Sequence, residues 1–116
     1  MTETQLHLTT NQRRLVEKTI ADHCTIRKWH LHAVRCRRTH VHIVVSAPGY
    51  NPDDVMDQFK AWCTRRLKEQ QRAAGFENIR QNWWTQGGSK RRLYDQASLE
   101  AAIRYVLEGQ EGSRFD

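Results

Sequence analysis

Residues 40–46, HVHIVVS, set the tightest constraint on the fold. In an extended chain, Val41, Ile43 and Val45 fall on one face, and His40, His42 and Val44 on the other. Such a segment lays its aliphatic face on a core and leaves its imidazole face accessible. Residues 29–36, WHLHAVRC, read as a second strand, with Arg37, Arg38 and Thr39 as the turn of an antiparallel hairpin. In that strand Trp29, Leu31 and Ala33 alternate with His30, His32 and Val34. A register pairing His32 with His42 puts all four histidines on one face and leaves the other for helices to cover.

The flanking segments have helical spacing. Thr9 and Gln12 are placed as a capping box before Leu15, Val16, Thr19, Ile20 and Cys24, which predicts a helix over about 10–26. After the turn PGYNP, Asn51 can cap a second helix, Pro52 fits its first position, and Asp53 and Asp54 suit its positive end. Its stripe is Val55, Phe59, Trp62, Cys63 and Leu67, and Gly75 ends it. Trp62 is assigned to the core on this pattern, while Arg65, Arg66 and Lys68 read as a solvated face. NWWTQGGSKRRLYD is expected to form a short hairpin or an irregular pair around Gly87 and Gly88. DQASLEAAIRYVLEG predicts a last helix with the stripe Leu99, Ala102, Ile103, Val106 and Leu107.

A chain of 116 residues is expected to form one domain, 1–116. No apolar run approaches the roughly 18 residues of a membrane span, and the N-terminus has no signal-peptide pattern. Three cysteines without a CxxC spacing predict reduced thiols and a cytoplasmic location. The net charge of +6 favours a polyanionic partner, nucleic acid above all, over a merely basic surface.

Chemistry can be placed on this frame. Neutral imidazoles two apart on a strand project in parallel, so His40 and His42 can share one metal ion if a third, oxygen ligand comes from elsewhere. Otherwise they are polar residues on an open face. Tyr105 falls off the stripe of the last helix by about 130°. A tyrosine so placed is either a surface residue or a reagent, and a phenol can attack phosphorus when a metal polarises the phosphate. Arg35, Arg37 and Arg38 flank the hairpin turn, and Lys90, Arg91 and Arg92 precede the last helix; both groups can neutralise phosphates. Trp83 and Trp84 can stack on unpaired bases, or plug the core and cap a hairpin.

THVHIVV, a long helix, and then AAIRYVLEGQ together resemble the single-tyrosine HUH transposases, the insertion-sequence enzymes and their domesticated relatives associated with repeated extragenic palindromes. The likeness runs from LTTNQRRLVEKTI to IRYVLEGQ, nearly the whole chain. It implies an α/β (α+β) ferredoxin-like sandwich, an antiparallel sheet with helices on one face. It implies Mg²⁺ or Mn²⁺ held by His40, His42 and a polar residue of the tyrosine helix. It implies attack of Tyr105 on single-stranded or hairpin DNA, a 5′-phosphotyrosyl enzyme, strand transfer, and a homodimer; in some members the tyrosine helix completes the partner's site. The family's third ligand commonly lies four residues after the tyrosine, where this chain has Gly109. Glu108 is three residues on, about 60° from Tyr105 in azimuth, and Gln110 five on, about 140°. A one-residue bulge near Gly109 restores Gln110, which is the favoured ligand, with Glu108 the alternative. The family also begins with a strand before the first helix, and only MTETQLHL is available for it here. Two other readings stay open: a decayed or domesticated nucleic-acid-binding domain without chemistry, and an HUH nickase of the replication type.

Overall fold

The first helix begins where its cap dictates. The Thr9 hydroxyl accepts from the Gln12 N–H at 3.1 Å, and the Gln12 side chain accepts from the Thr9 N–H at 2.9 Å. The structure, a computed structural model, describes residues 7–81, 83–84 and 96–109. Helix α1 spans Thr10–Arg27 and ends at Lys28, in the left-handed region at φ 62°. That residue turns the chain directly into strand β1, His30–Cys36. Strand β2, Val41–Ser46, pairs antiparallel with it. Helix α2 spans Pro52–Ala73, capped by the Asn51 side chain, which accepts from the Asp54 N–H at 2.8 Å. Gly75, at φ 86°, stops α2, and the Phe76 N–H closes back on the Gln71 carbonyl at 3.0 Å. Helix α3, Gln96–Arg104, runs on into a π-helical turn, Tyr105–Gly109. The fold is thus α+β, with a two-stranded antiparallel sheet among the described residues.

The ladder corrects the expected register. The Arg37 N–H donates to the His40 carbonyl at 2.7 Å, so the turn is tight and centred on Arg38 and Thr39. A turn there sets Cys36 opposite Val41 and Arg35 opposite His42, not His32 opposite His42. Between Leu31 and Ala33 the pairing slips, with His32 as the extra residue of a bulge. Leu31 thereby moves opposite Val45 and His30 opposite Ser46. The face with Val41, Ile43 and Val45 also holds Leu31, Val34 and Cys36. The other holds His30, Ala33, Arg35, His42 and Val44.

The aliphatic face packs on α1 and α2. Val16, Ile20 and Cys24 meet Val55, Phe59, Cys63 and Leu67 there, and Leu8 joins them. The Leu8 N–H also donates to the Arg38 carbonyl at 2.8 Å, which fastens the start of the described chain to the hairpin turn. All three cysteines are free and buried. Burial pushes the Cys24 thiol up to about 11, and burial with nearby Glu17 pushes Cys36 up to about 12. Cys63 is likewise pushed up to about 12 by burial. None of them is an activated thiolate at neutral pH.

Two expectations about packing are corrected. Helices do not lie on one face alone: α3 packs on the side opposite α1 and α2, through Val106, Leu99, Ala102 and Ile103 against Ala33 and Val44. That face is apolar at only these two sheet positions, which is why Leu107, counted in the stripe, remains 38% exposed. Trp62, assigned to the core, is 40% exposed. It stands at the border of the α2 stripe, its ring beside His23 and under the Arg65 guanidinium.

Leu67 is fully buried among these residues. Leu67→Ala is expected to destabilise the fold by about 2–5 kcal/mol and Thr9→Ala by about 1 kcal/mol, both read from urea unfolding. A loss below about 0.5 kcal/mol for Leu67→Ala contradicts this core.

Candidate active site

The open sheet face has one apolar patch, Ala33 and Val44, and α3 docks there by burying Val106. Docking Val106 fixes the residue before it. His42 lies two positions before Val44 on the same face, and Tyr105 meets it edge-on, with ring centroids 5.9 Å apart and planes at 86°. The tyrosine is still 52% exposed, so its phenol is reachable from solvent. His40 stands just before β2, its ring 6.3 Å from that of His42 and within 14° of parallel. The Thr39 hydroxyl lies 2.7 Å from Nδ1 of His40. When Nδ1–H donates to that hydroxyl, Nε2 keeps its lone pair for a ligand. Thr39 is a contributor that sequence patterns do not reveal.

Two parallel imidazoles, one of them oriented by a hydroxyl, fit a divalent ion that takes its remaining positions from oxygen. Among the described residues, no three His, Cys, Asp or Glu side chains come together as a metal set. Glu108 is not brought into such a group with the histidines. Its carboxylate lies 3.9 Å from Nε of Arg104 on the exposed flank of the helix. Gln110 lies outside the described residues. The π-helical turn at Tyr105–Gly109 is a one-residue widening of the kind that the spacing from Tyr105 to Gln110 calls for.

The other histidines separate from this pair. His30 and His32 stack at 4.2 Å at the far end of the hairpin, and His32 bonds Ser46 at 2.7 Å. His23 is buried between α1 and α2, 2.7 Å from the Gln58 side chain. The bulge and the tight turn therefore divide the four strand histidines into two clusters instead of one row.

The expected DNA contacts divide as well. Arg35, opposite His42, donates from Nη2 to the Leu107 carbonyl at 3.4 Å and ties the strand to the π turn. Arg37 is half-buried and Arg38 exposed at the hairpin turn. Lys90, Arg91 and Arg92 lie outside the described residues, as do Tyr94 and the expected Gly87–Gly88 hairpin. Trp83 takes the core-plugging alternative. It is buried, and its indole N–H donates to the Arg80 carbonyl at 2.9 Å. Trp84 is half-buried against the core and donates to the Thr64 hydroxyl at 2.7 Å. Both pack on the side of Val41 and Ile43, away from Tyr105, so neither forms a stacking platform beside it.

A family model described as Transposase IS200 like matches residues 3–108. The chain belongs to the IS200-like transposase family. No curated protein and no solved structure matches it significantly. The matched span contains every described element up to Glu108, with His40, His42 and Tyr105 among them. A role in DNA transposition accounts for the charge of +6. No helix among the described residues is long and apolar enough to cross a membrane.

Burial, and then the charge of His30, holds the His32 imidazole below its usual pKa. The folded transposase therefore resists protonating it. The stability that His32 contributes is complete above about pH 6.5 and is lost as the pH falls through that value toward the lower folded-state one. The urea midpoint is expected to be lower near about pH 5 than near about pH 7.5, and His32→Gln to narrow the difference. An unchanged difference in the variant contradicts this assignment.

Proposed function

We propose that this IS200-like transposase cleaves single-stranded DNA with Tyr105 and transfers the strand through a 5′-phosphotyrosyl intermediate. The contact of Tyr105 with His42, beside the parallel ring of His40, carries the reading. A divalent ion, Mg²⁺ or Mn²⁺, bound by His40, His42 and an oxygen ligand such as Gln110, supplies Lewis-acid polarisation of the scissile phosphate. Glu108 is the alternative third ligand.

The chain's own groups account for the remaining steps. The Tyr105 oxygen attacks phosphorus, and its proton passes to solvent. As the new P–O bond forms, the bond from phosphorus to the preceding 3′-oxygen breaks, and that oxygen takes up a proton. The products are a 5′-phosphate on Tyr105 and a free 3′-hydroxyl. Attack by a different 3′-hydroxyl reverses the sequence and joins strands. An aryl oxygen leaves readily, so the phosphotyrosyl bond keeps its transfer potential, which suits transposition rather than hydrolysis. The exposed tyrosine ring and open imidazole face admit an extended strand, next to a hairpin or alone. Arg35, Arg37 and Arg38 line the turn end of that path as phosphate partners, and Lys90, Arg91 and Arg92 belong to the same reading. A homodimer, with a tyrosine helix able to complete the partner's site, is part of the proposal.

The test uses single-stranded oligonucleotides from the DNA flanking the coding sequence, with Mn²⁺, and a denaturing gel. The wild type is expected to form a covalent adduct, Tyr105→Phe none, and Tyr50→Phe and Tyr94→Phe to retain it. His40→Ala and His42→Ala are expected to lose more than the roughly 10–100-fold typical of changes outside the ligand shell. An adduct in Tyr105→Phe overturns the mechanism. No adduct from the wild type with any divalent ion favours the binding-only reading.

A further inference from the structure

We propose a second binding surface, for unpaired nucleotides, centred on Trp62 on the side of the sheet opposite Tyr105; it rests on the single-strand reading above. Trp62 is 40% exposed, although its stripe neighbours Phe59 and Cys63 are only 3% and 1% exposed. Its ring is held in place. His23 lies 6.0 Å from it and the Arg65 guanidinium 5.4 Å from its centroid. His23 is in turn fixed by Gln58 at 2.7 Å and by edge contacts with Trp29 and Phe59. Trp29 meets Tyr50 edge-on at 5.1 Å, and Tyr50 is 39% exposed. A buried ladder of rings thus ends at an exposed indole on one side and an exposed phenol on the other.

The charged group against the indole is the Arg65 guanidinium. Arg65 and Arg66 follow it on α2, and Arg27 and Lys28 close α1. Asp22 is the carboxylate facing Arg66, at 3.4 Å, and Lys18 already meets it at 3.2 Å. An indole carrying a guanidinium, with Arg66 next on the same helix, matches a base with its phosphate: the base extends the ring–guanidinium stack, and the arginines take the backbone. A duplex keeps its base faces inside the helix and cannot use the indole in this way. An acidic peptide uses the cations alone.

The surface is remote from the cleavage face. Helices α1 and α2 cover the Val41 side of the sheet, whereas Tyr105 and His42 lie on the other. A strand at Trp62 therefore leaves the tyrosine free, and only a strand long enough to pass round the hairpin reaches both.

The test uses the full chain as Tyr105→Phe and oligo(dT) of about 6 and about 25 nucleotides, followed by tryptophan fluorescence. Trp29 and Trp83 are buried, at 7% and 4% exposure, and Trp84 is half-buried against the core, so most of the quenching is expected to arise at Trp62. Trp62→Ala is expected to lose most of the quenching and to bind the longer oligonucleotide about tenfold more weakly, with Trp62→Phe intermediate. Arg65→Gln is expected to flatten the salt dependence. In the chain that keeps Tyr105, adduct formation on a short oligonucleotide spanning the cleavage site is expected to survive Trp62→Ala. Unchanged quenching and affinity in both Trp62 variants overturn the proposal. So does a change in oligomeric state on Trp62 substitution with DNA affinity unchanged, because the patch is then a contact between copies. Failure of the wild type both to bind oligonucleotide and to form adduct sinks the cleavage reading too, whereas adduct formation without a Trp62 effect sinks this one alone.

Discussion

The site depends on one docking event: Val106 settling on Ala33 and Val44. Full burial of such a side chain stabilises by roughly 1.5–3 kcal/mol, modest for an element that carries the proposed nucleophile. The patch is small because polar residues flank it, with His42 and Arg35 toward the hairpin turn and His30 and Ser46 toward the far end. It therefore acts as a locating point more than as a core. The Arg35 bond to the Leu107 carbonyl adds a second point along the same helix. Two points define an axis, and Tyr105 immediately precedes the two residues that make them.

Locating the tyrosine by a small patch has a consequence for function. The major core, on the other side of the sheet, holds the fold through α1, α2 and the aliphatic face. Helix α3 and its π turn can shift with little disturbance to that core, and elements of low local stability are where conformational change concentrates. The buried thiols belong to the large core and add no chemistry, since burial keeps them protonated. The proposed chemistry is confined to the face that the large core does not use.

Much of this was legible in the chain. Alternation in HVHIVVS separated an aliphatic face from a histidine face, and Thr9, Gln12, Asn51 and Pro52 marked helix starts because caps satisfy local backbone donors. Tyr105 stood out by azimuth alone. The register was not legible, because it rests on two local events: the tight turn at Arg38–Thr39 and the bulge at His32. Neither position carries a glycine or proline to announce it. Trp62 departs from its pattern for a related reason. Helical periodicity gives the direction of a side chain but not the width of the groove receiving it, so Trp62 read as buried. Trp83 follows α2 in an irregular segment with no periodicity, yet it returns to the core and satisfies its N–H on Arg80.

The central claim is that His40 and His42, not His30 and His32, form the metal-binding pair, and that Tyr105 lies beside it. Paramagnetic broadening of nuclear resonances by substoichiometric Mn²⁺ tests this without any DNA. The account predicts that signals of His40, His42 and Tyr105 broaden first, while those of His30 and His32 at the far end of the hairpin persist. Broadening centred on His30 and His32, with Tyr105 unaffected, contradicts it.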